Sequence, residues 1–474
     1  MDENNRPLHK AEEKLARWQR HFSEVLNVQN DLEEGVVMAL EDHSQSDTPE
    51  VSREEVVRAV NKLQNGKAAG GDKVVAELVK KGGETMVNWL LELIQEVWRT
   101  GRVPQEWKDS TLVPLHKKKD RKECTNYRGI SLLSVPGKVL ALVLLERLQA
   151  VIDPQLSETQ CGFRKGRGTI DQIWVTRQVL EKAVEYKVPV HLCFVDLSKA
   201  YDSVNRTAML AVLRSYGVPQ QLVEIIQDLY TGTQCQVRTE DGESQVFEVK
   251  TGVRQGCVLS PLLFNCFMDR VVKDMDETLG GGLHVEYTTS GGLFLSYRDK
   301  TEASAVIQDI MYADDLALAA ETRSELQHML NVLDNACKRW GMNINGEKTK
   351  ILIAGEQQEE AAPSPIMLQN HALQEVECFS YLGSQVEATG KVEKEVTSRI
   401  EKAGTVYQIW RRKVFRSRNL SKETKMRVFR TMVMSVLLYG AETWPVTKKE
   451  IRKLTTFQMR CLRDILGVTL WHRH

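Results

Sequence analysis

The chain has 474 residues, 42% of them hydrophobic and 27% charged, the balance of an ordinary folded protein rather than a disordered one. At about 150 residues per domain the length suggests roughly three units. Basic and acidic residues number 64 each, so the net charge is zero and a uniformly basic nucleic-acid binder is excluded. The neutrality is uneven. Residues 1–60 carry 7 basic and 14 acidic side chains, residues 391–430 carry 13 basic and 4 acidic, and the second stretch suits a polyanion. No uncharged apolar run of 18 residues occurs, so no membrane helix is expected, and the polar N-terminus is not a secretory signal. Nine scattered cysteines without CxxC spacing give neither a zinc site nor a disulfide framework, which points to a reducing compartment with mostly buried thiols.

In chain order, residues 11–26 read as a helix and 41–50 as an acidic linker. Ser52 and Glu55 form a capping-box pattern, with Val56, Val57, Val60 and Leu63 following at helical spacing. A turn covers 64–72, and a helix over 73–100 places Trp89, Leu90, Leu93 and Trp98 on its apolar side before Gly101 stops it. A short strand at 111–115 leads into the basic loop 116–122, and the nearly all-apolar 136–150 reads as a buried helix. After the glycine–arginine loop 162–169 and a helix over 170–186, residues 188–197 read as a buried strand. Two amphipathic helices broken at Gly217 and Pro219 precede a hairpin over 235–253 turning at Asp241-Gly242. Residues 261–275 are helical, and 280–305, with glycines at 280–282 and 291–292, suggest a surface hairpin. Two apolar runs within 307–320 flank Asp314-Asp315. The next helix lines up Leu326, Met329, Leu330, Leu333, Cys337 and Trp340 and ends at Gly341. Strands are expected at 348–354 and 376–382, and helix over 391–430. The mixed order favours an α+β palm over a doubly wound sheet, and the absence of GxGxxG and GxxxxGK[ST] weighs against dinucleotide and P-loop folds.

The sharpest chemical signal is acid set in apolar strand: Asp196 in HLCFVDLSKAYD, and Asp314-Asp315 in IQDIMYADDLALAA. Unpaired buried charge costs several kcal/mol, and a hard divalent cation, Mg²⁺ or Mn²⁺, is a common compensation. Two ions about 4 Å apart would activate a 3′-hydroxyl and steady a leaving pyrophosphate. Spacing alone leaves the bland reading open, with the doublet a hairpin turn and Asp196 a helix N-cap.

FVDLSKAYDSV, GVRQGCVLSPLLFN, MYADDLAL, GMNINGEKTKIL and CFSYLGS resemble, in order, palm motifs A to E of reverse transcriptases. VPLHKKKDRKECTNYRGISLL and CGFRKGRGT resemble the preceding fingers motifs, and LLYGAETW the thumb end of the non-LTR, LINE-like retrotransposon group. The likeness covers about 100–470. It implies a right-hand polymerase fold with a 1–50 arm and linker, a helical extension 51–110, fingers 111–189, a palm 190–385 with an insertion at 276–306, a basic helical thumb 386–445 and a tail 446–474.

The resemblance implies that Asp196, Asp314 and Asp315 hold the metals and that Tyr201 is the steric gate against a ribose 2′-hydroxyl. It implies that Arg128 and Lys117 or Lys118 hold the triphosphate, and that Gln255 and Gly256 lie beside the incoming nucleotide. Arg164 and Arg167 would meet template backbone, Lys348 (or Lys350) would be a general acid toward pyrophosphate, and Tyr381, Leu382 and Gly383 would form the primer grip. Bland counterparts exist: a solvated basic loop for the lysines, a tight turn for 381–383, a core aromatic for Tyr201.

Relatives often carry phenylalanine at Tyr201 and proline at Gly129. Residues 1–100 are too short for the endonuclease many relatives have, so the chain reads as the polymerase part of an element, or a truncated or domesticated copy that does not nick its own target. The expected activity is RNA-directed DNA polymerisation with an RNA template, a DNA primer and dNTPs. The alternatives are a non-catalytic RNA-binding protein derived from such an element and an RNA-templated RNA polymerase. Nuclear access follows from the resemblance alone.

Overall fold

The computed structural model describes residues 8–28, 32–44, 48–117, 120–276, 281–290, 300–356 and 364–468. The chain separates into two compact units. One comprises 1–164, 197–279 and 332–344, the other 165–196, 280–331 and 345–474.

In the first unit, the Ser110–His116 strand pairs antiparallel with Tyr127–Leu133 and parallel with Gln234–Thr239, which also pairs with Gly242–Glu243 and Phe247–Glu248. The Ala11–Leu26 helix covers this sheet: Phe22 joins Leu112, Cys235 and Val237 in one cluster, with Trp18 against it. Ser52 caps the Arg53–Lys62 helix with the expected capping box, burying Val56, Ala59 and Val60. The Val135–Ile152 helix is buried as its all-apolar run requires. The amphipathic pair appears as Arg206–Ser215 and Gln220–Tyr230, separated by Gly217 at φ +70° and the Pro219 cap.

Three expectations differ. The 73–100 helix is two helices, Ala76–Lys81 and Gly83–Thr100, because adjacent glycines, the second at φ +61°, break the helical path. Trp89 and Leu93 then lie outward, 58% and 50% exposed, while Leu90, Ile94, Val97 and Trp98 are buried. The hairpin turns one residue earlier than expected, since Thr239 pairs with Gly242.

The second unit is built on a sheet ordered Gln374–Glu375, Lys350–Ala354, Val190–Val195, Asp315–Ala320, Asp309–Tyr312. All six residues of Val190–Val195 are buried, so both its faces are covered. Its antiparallel neighbour, paired Val195 to Leu316 and Cys193 to Leu318, offers small Ala317 and Ala319 to the core that Leu192, Phe194 and Leu180 fill. The insertion forms a hairpin of Leu283–Ser290 and Lys300–Ile307; Gly280, Gly291 and Gly292 lie outside the described residues. The basic stretch is helical as expected. Glu393–Trp410 passes into a π-helical turn, Arg411–Phe415, and with Lys422–Val428, Phe429–Met434 and Lys448–Leu466 encloses Tyr407, Phe415, Phe429, Val433 and Cys461. All nine cysteines are free thiols, eight of them buried. Among the described residues no helix is long and apolar enough to cross a membrane.

In the first unit Arg147 grips Glu55 with two bonds of 2.7 and 2.9 Å while lying 4.6 Å from the Trp98 ring centroid. The guanidinium, chiefly, holds the Glu55 carboxyl down to about 2. Because that value lies below the unfolded one, the contribution is present above pH 4.5 and fades as pH falls toward 2. Glu55→Gln is expected to lower stability by roughly 2 kcal/mol at pH 7. In calorimetric or denaturant unfolding the difference from the parent should be clearly smaller at pH 3.5.

Candidate active site

Asp196 stands one residue beyond the Val190–Val195 strand. Its N–H donates to Thr349 Oγ1 at 3.2 Å and its carbonyl accepts from Asn345 N–H at 2.7 Å, so the loop before the Lys350–Ala354 strand pins its backbone. Asp314 sits in the two-residue turn joining Asp309–Tyr312 to Asp315–Ala320, with Tyr312 paired to Asp315. Ala313, the first turn residue, is held at φ +58°, a left-handed conformation that costs a non-glycine residue about 1 kcal/mol and fixes where the doublet projects. Since Val195 pairs with Leu316, strand register brings Asp196 and Asp315 to the same end of adjacent strands.

The electrostatics bear this out. Partial burial, then the like charges of Asp314 and Asp196, push the Asp315 carboxyl up to about 6. Burial is the largest of these causes, and the two neighbouring charges add to it. The Lys348 ammonium answers part of this charge, 3.0 Å from Asp196 Oδ2. Lys350 turns instead to the Glu347 carbonyl at 2.5 Å. Among the described residues no three His, Cys, Asp or Glu side chains form a ready metal-holding group. The aspartates share one another's field without forming a closed cage. Mg²⁺ characteristically takes one or two carboxylates and completes its shell with water and substrate phosphates, so a mutually repelling carboxylate set fits that ion.

The grip turn belongs to the same unit. Tyr381 is 2% exposed, its hydroxyl donating to the Ile310 carbonyl at 3.4 Å, so its ring is core rather than a contact surface. Leu382 and Gly383, at φ +47° and +81°, form the tight loop between Cys378–Tyr381 and Ser384–Glu387. The Leu382 carbonyl accepts from Tyr439 Oη at 2.9 Å, and the Gly383 carbonyl from Arg399 at 2.5 Å. Arg399 is buried, paired with the fully buried Glu395 at 2.7 Å and stacked 4.5 Å from the Tyr439 ring centroid. Arg167 is exposed and lines an open cleft with Trp174 and Glu442.

The remaining candidates lie in the first unit. Tyr201 stacks on the fully buried Phe264, ring centroids 4.2 Å apart and planes at 15°, which locks its ring. Gln255 donates from Nε2 to Asp202 Oδ1 at 2.6 Å, and its Oε1 is buried with no hydrogen-bond partner among the described residues. Gly256, at φ +96°, admits the backbone of Ser131: an added Cβ would meet the Ser131 carbonyl oxygen at 2.8 Å. Arg128, Lys117 and Lys199 reach the buried Asp202 electrostatically, although burial raises its carboxyl. Lys118 lies outside the described residues. Arg164 is engaged within its own loop. It donates to Asp153 and to the Asp153, Ser157 and Gln160 carbonyls at 2.7–3.0 Å, with a side chain 8% exposed, so its donors close the loop rather than face a template.

Residues 116–386 match the family described as reverse transcriptase (RNA-dependent DNA polymerase), more than half of the chain. The chain belongs to the reverse transcriptase family. Its α+β architecture fits that membership, as does its likeness to retrotransposon proteins. It is 24% identical over 434 residues to "RNA-directed DNA polymerase from mobile element jockey" of Drosophila melanogaster, covering 89% of this chain and 44% of that protein. It is 28% identical over 326 residues to the Pol polyprotein of the type-2 retrotransposable element R2DM of the same fly, covering 66% and 28%. For the protein of type-1 element R1DM the identity is 25% over 427 residues, covering 87% and 38%. The chain thus spans less than half the length of each of these relatives.

Asp202, Thr349, Glu395 and Arg399 escaped the sequence reading. Asp202 was visible in the quoted AYD as a second acid beside the gate tyrosine, whereas the Glu395–Arg399 pair at helical spacing looks like any surface ion pair.

Relieving the carboxylate repulsion should stabilise the metal-free fold. Asp315→Asn is expected to raise stability by about 1 kcal/mol in chelator at pH 8 and low salt, with the gain shrinking in 1 M salt, as read by calorimetry.

Proposed function

We propose that this chain is an RNA-directed DNA polymerase that adds dNTPs to a primer 3′-hydroxyl on an RNA template, as part of a retrotransposon. The observation that carries the reading is the meeting of Asp196, Asp314 and Asp315 in one electrostatic field with Lys348 beside Asp196. Asp196, Asp314 and Asp315 would hold Mg²⁺ or Mn²⁺, which when bound supplies Lewis acidity toward the 3′-hydroxyl and charge neutralisation for pyrophosphate.

The chain's own groups do the rest. The Tyr201 ring, held flat on Phe264, presents a rigid wall where a ribose 2′-oxygen would stand. Gln255, its amide tied to Asp202, offers a buried carbonyl oxygen that accepts a sugar hydroxyl. Arg128 and Lys117 receive the triphosphate. Lys348 moves from Asp196 to protonate the departing pyrophosphate. Leu382 and Gly383 present backbone at the primer end, and the basic helices of 391–430 follow the duplex by salt-sensitive contacts. Fingers, palm and thumb follow the boundaries 111–189, 190–385 and 386–445, and the working compartments are cytoplasm and nucleus.

Primer extension on an RNA template, with divalent ion omitted and restored, tests this directly. Metal-dependent dNTP incorporation is expected, reduced at least a thousandfold in Asp314→Ala. No product with metal, or an Asp314→Ala variant as active as the parent, overturns the assignment. Separately, Tyr201→Ala is expected to loosen discrimination against rNTPs at least tenfold, measured as the ratio of kcat/KM values, and unchanged selectivity removes Tyr201 from the gate.

A further inference from the structure

Three charged side chains are buried around one tight turn. Glu395 is fully buried, and Arg177 and Arg399 are 5% and 6% exposed. Taking such ions out of water is costly, and apolar residues of similar volume often serve stability equally well. Stability alone therefore does not account for the cluster.

The bonds of these groups converge on four successive residues. Arg399 donates to the Gly383 carbonyl at 2.5 Å and, from Nε, to Glu395 Oε1 at 2.7 Å. The other oxygen of Glu395 accepts from Gln385 N–H at 2.7 Å. Arg177 donates from Nη2 to Ser384 Oγ at 3.0 Å and to the Gln385 carbonyl at 2.8 Å. With Tyr439 on the Leu382 carbonyl, residues 382–385 are held from every position. Leu382 itself sits at φ +47°, a conformation that a side-chain-bearing residue disfavours, so the turn is held in a form that its own backbone does not prefer.

The helix that carries Arg177, Thr169–Tyr186, also carries Gln172. Gln172 is buried and donates from Nε2 to the Met311 carbonyl at 3.0 Å. Met311 lies in the Asp309–Tyr312 strand, which runs into the turn bearing Asp314 and Asp315. Five residues along a helix make a stiff span of about 7.5 Å. One rigid element is thus tied at one point to the aspartate strand and at another to residues 384–385.

We propose that Glu395 and Arg399, together with Arg177, are positioning residues that set the offset of the 382–383 turn from the Asp314-Asp315 turn, and so the place of a primer 3′-hydroxyl relative to the carboxylates. The proposal rests on the polymerase reading for the identity of what the turn holds. The three side chains act through the backbone of 382–385. Such an offset matters because reacting atoms must come within about 3.5 Å, and a displacement of about 1 Å costs on the order of a hundredfold in rate.

The test uses the full chain with the double variant Glu395→Gln/Arg399→Met and the single variant Arg399→Lys. The double variant removes both charges of the pair, so its melting temperature is expected to stay near the parent's. In primer extension at saturating RNA–DNA duplex its kcat should fall about thirtyfold, with the duplex Kd within twofold of the parent's. Arg399→Lys, which keeps a donor for Gly383 and a charge for Glu395, should recover part of that loss. Hydrogen exchange of the 382–385 amides should quicken at least tenfold in the double variant while the 309–320 strands keep their protection. An unchanged kcat overturns the proposal, as does unchanged exchange at 382–385. A weakened duplex Kd at constant kcat overturns it too and assigns the pair to nucleic-acid binding. A double variant that melts several degrees lower with unchanged kcat per folded molecule assigns the pair to stability alone. If the parent incorporates no dNTP yet exchange at 382–385 still depends on the pair, the polymerase reading fails and the bracing of the turn stands.

Discussion

Like charges held together organise the second unit. Three aspartates at the ends of two adjacent strands lie close enough that burial and then their like charges push one carboxyl up to about 6. A fully buried central strand, small alanines in its neighbour and a left-handed residue in the turn set where the acids stand. Thr349 and Asn345 clamp the backbone of Asp196 from a third strand's approach, and Lys348 offsets one charge.

The first unit holds a local group of cations around one buried carboxylate. Its buried carboxylate, Asp202, orients Gln255 and feels three cations, while Arg17 has buried donors that meet nothing among the described residues. A net charge of zero over 474 residues conceals this, because the sum says nothing about where charge collects.

Much of this was legible before any coordinates. Strongly periodic or uniformly apolar stretches declared themselves: the capped Arg53–Lys62 helix, the Val135–Ile152 helix, the strand before Asp196 and the basic helices near the C-terminus. The carboxylates stood out because acid in an apolar strand is costly, but spacing alone left a hairpin turn and a helix cap open, and it was the likeness to palm motifs that singled them out. What escaped depends on tertiary neighbours. Trp89 and Leu93 fit an apolar stripe, yet Ile94 and Val97 took the buried face. Arg164 has the composition of a template contact, but Asp153 and three carbonyls claim it first. Tyr381 sits in a recognisable motif, and only the packing shows that its ring is buried in the core. The role of Gly129 was invisible because its reason, the Phe22 ring, lies more than a hundred residues earlier.

The bond from Arg399 to the Gly383 carbonyl has a mechanical consequence. Arg399 sits on the Glu393–Trp410 helix, is braced by buried Glu395 and Tyr439, and Tyr439 holds Leu382. The loop and the basic helix are therefore geared together: a tilt of the helix drags the loop tip with it. A force applied to that helix is delivered to the loop through Arg399, so the two elements respond as one body.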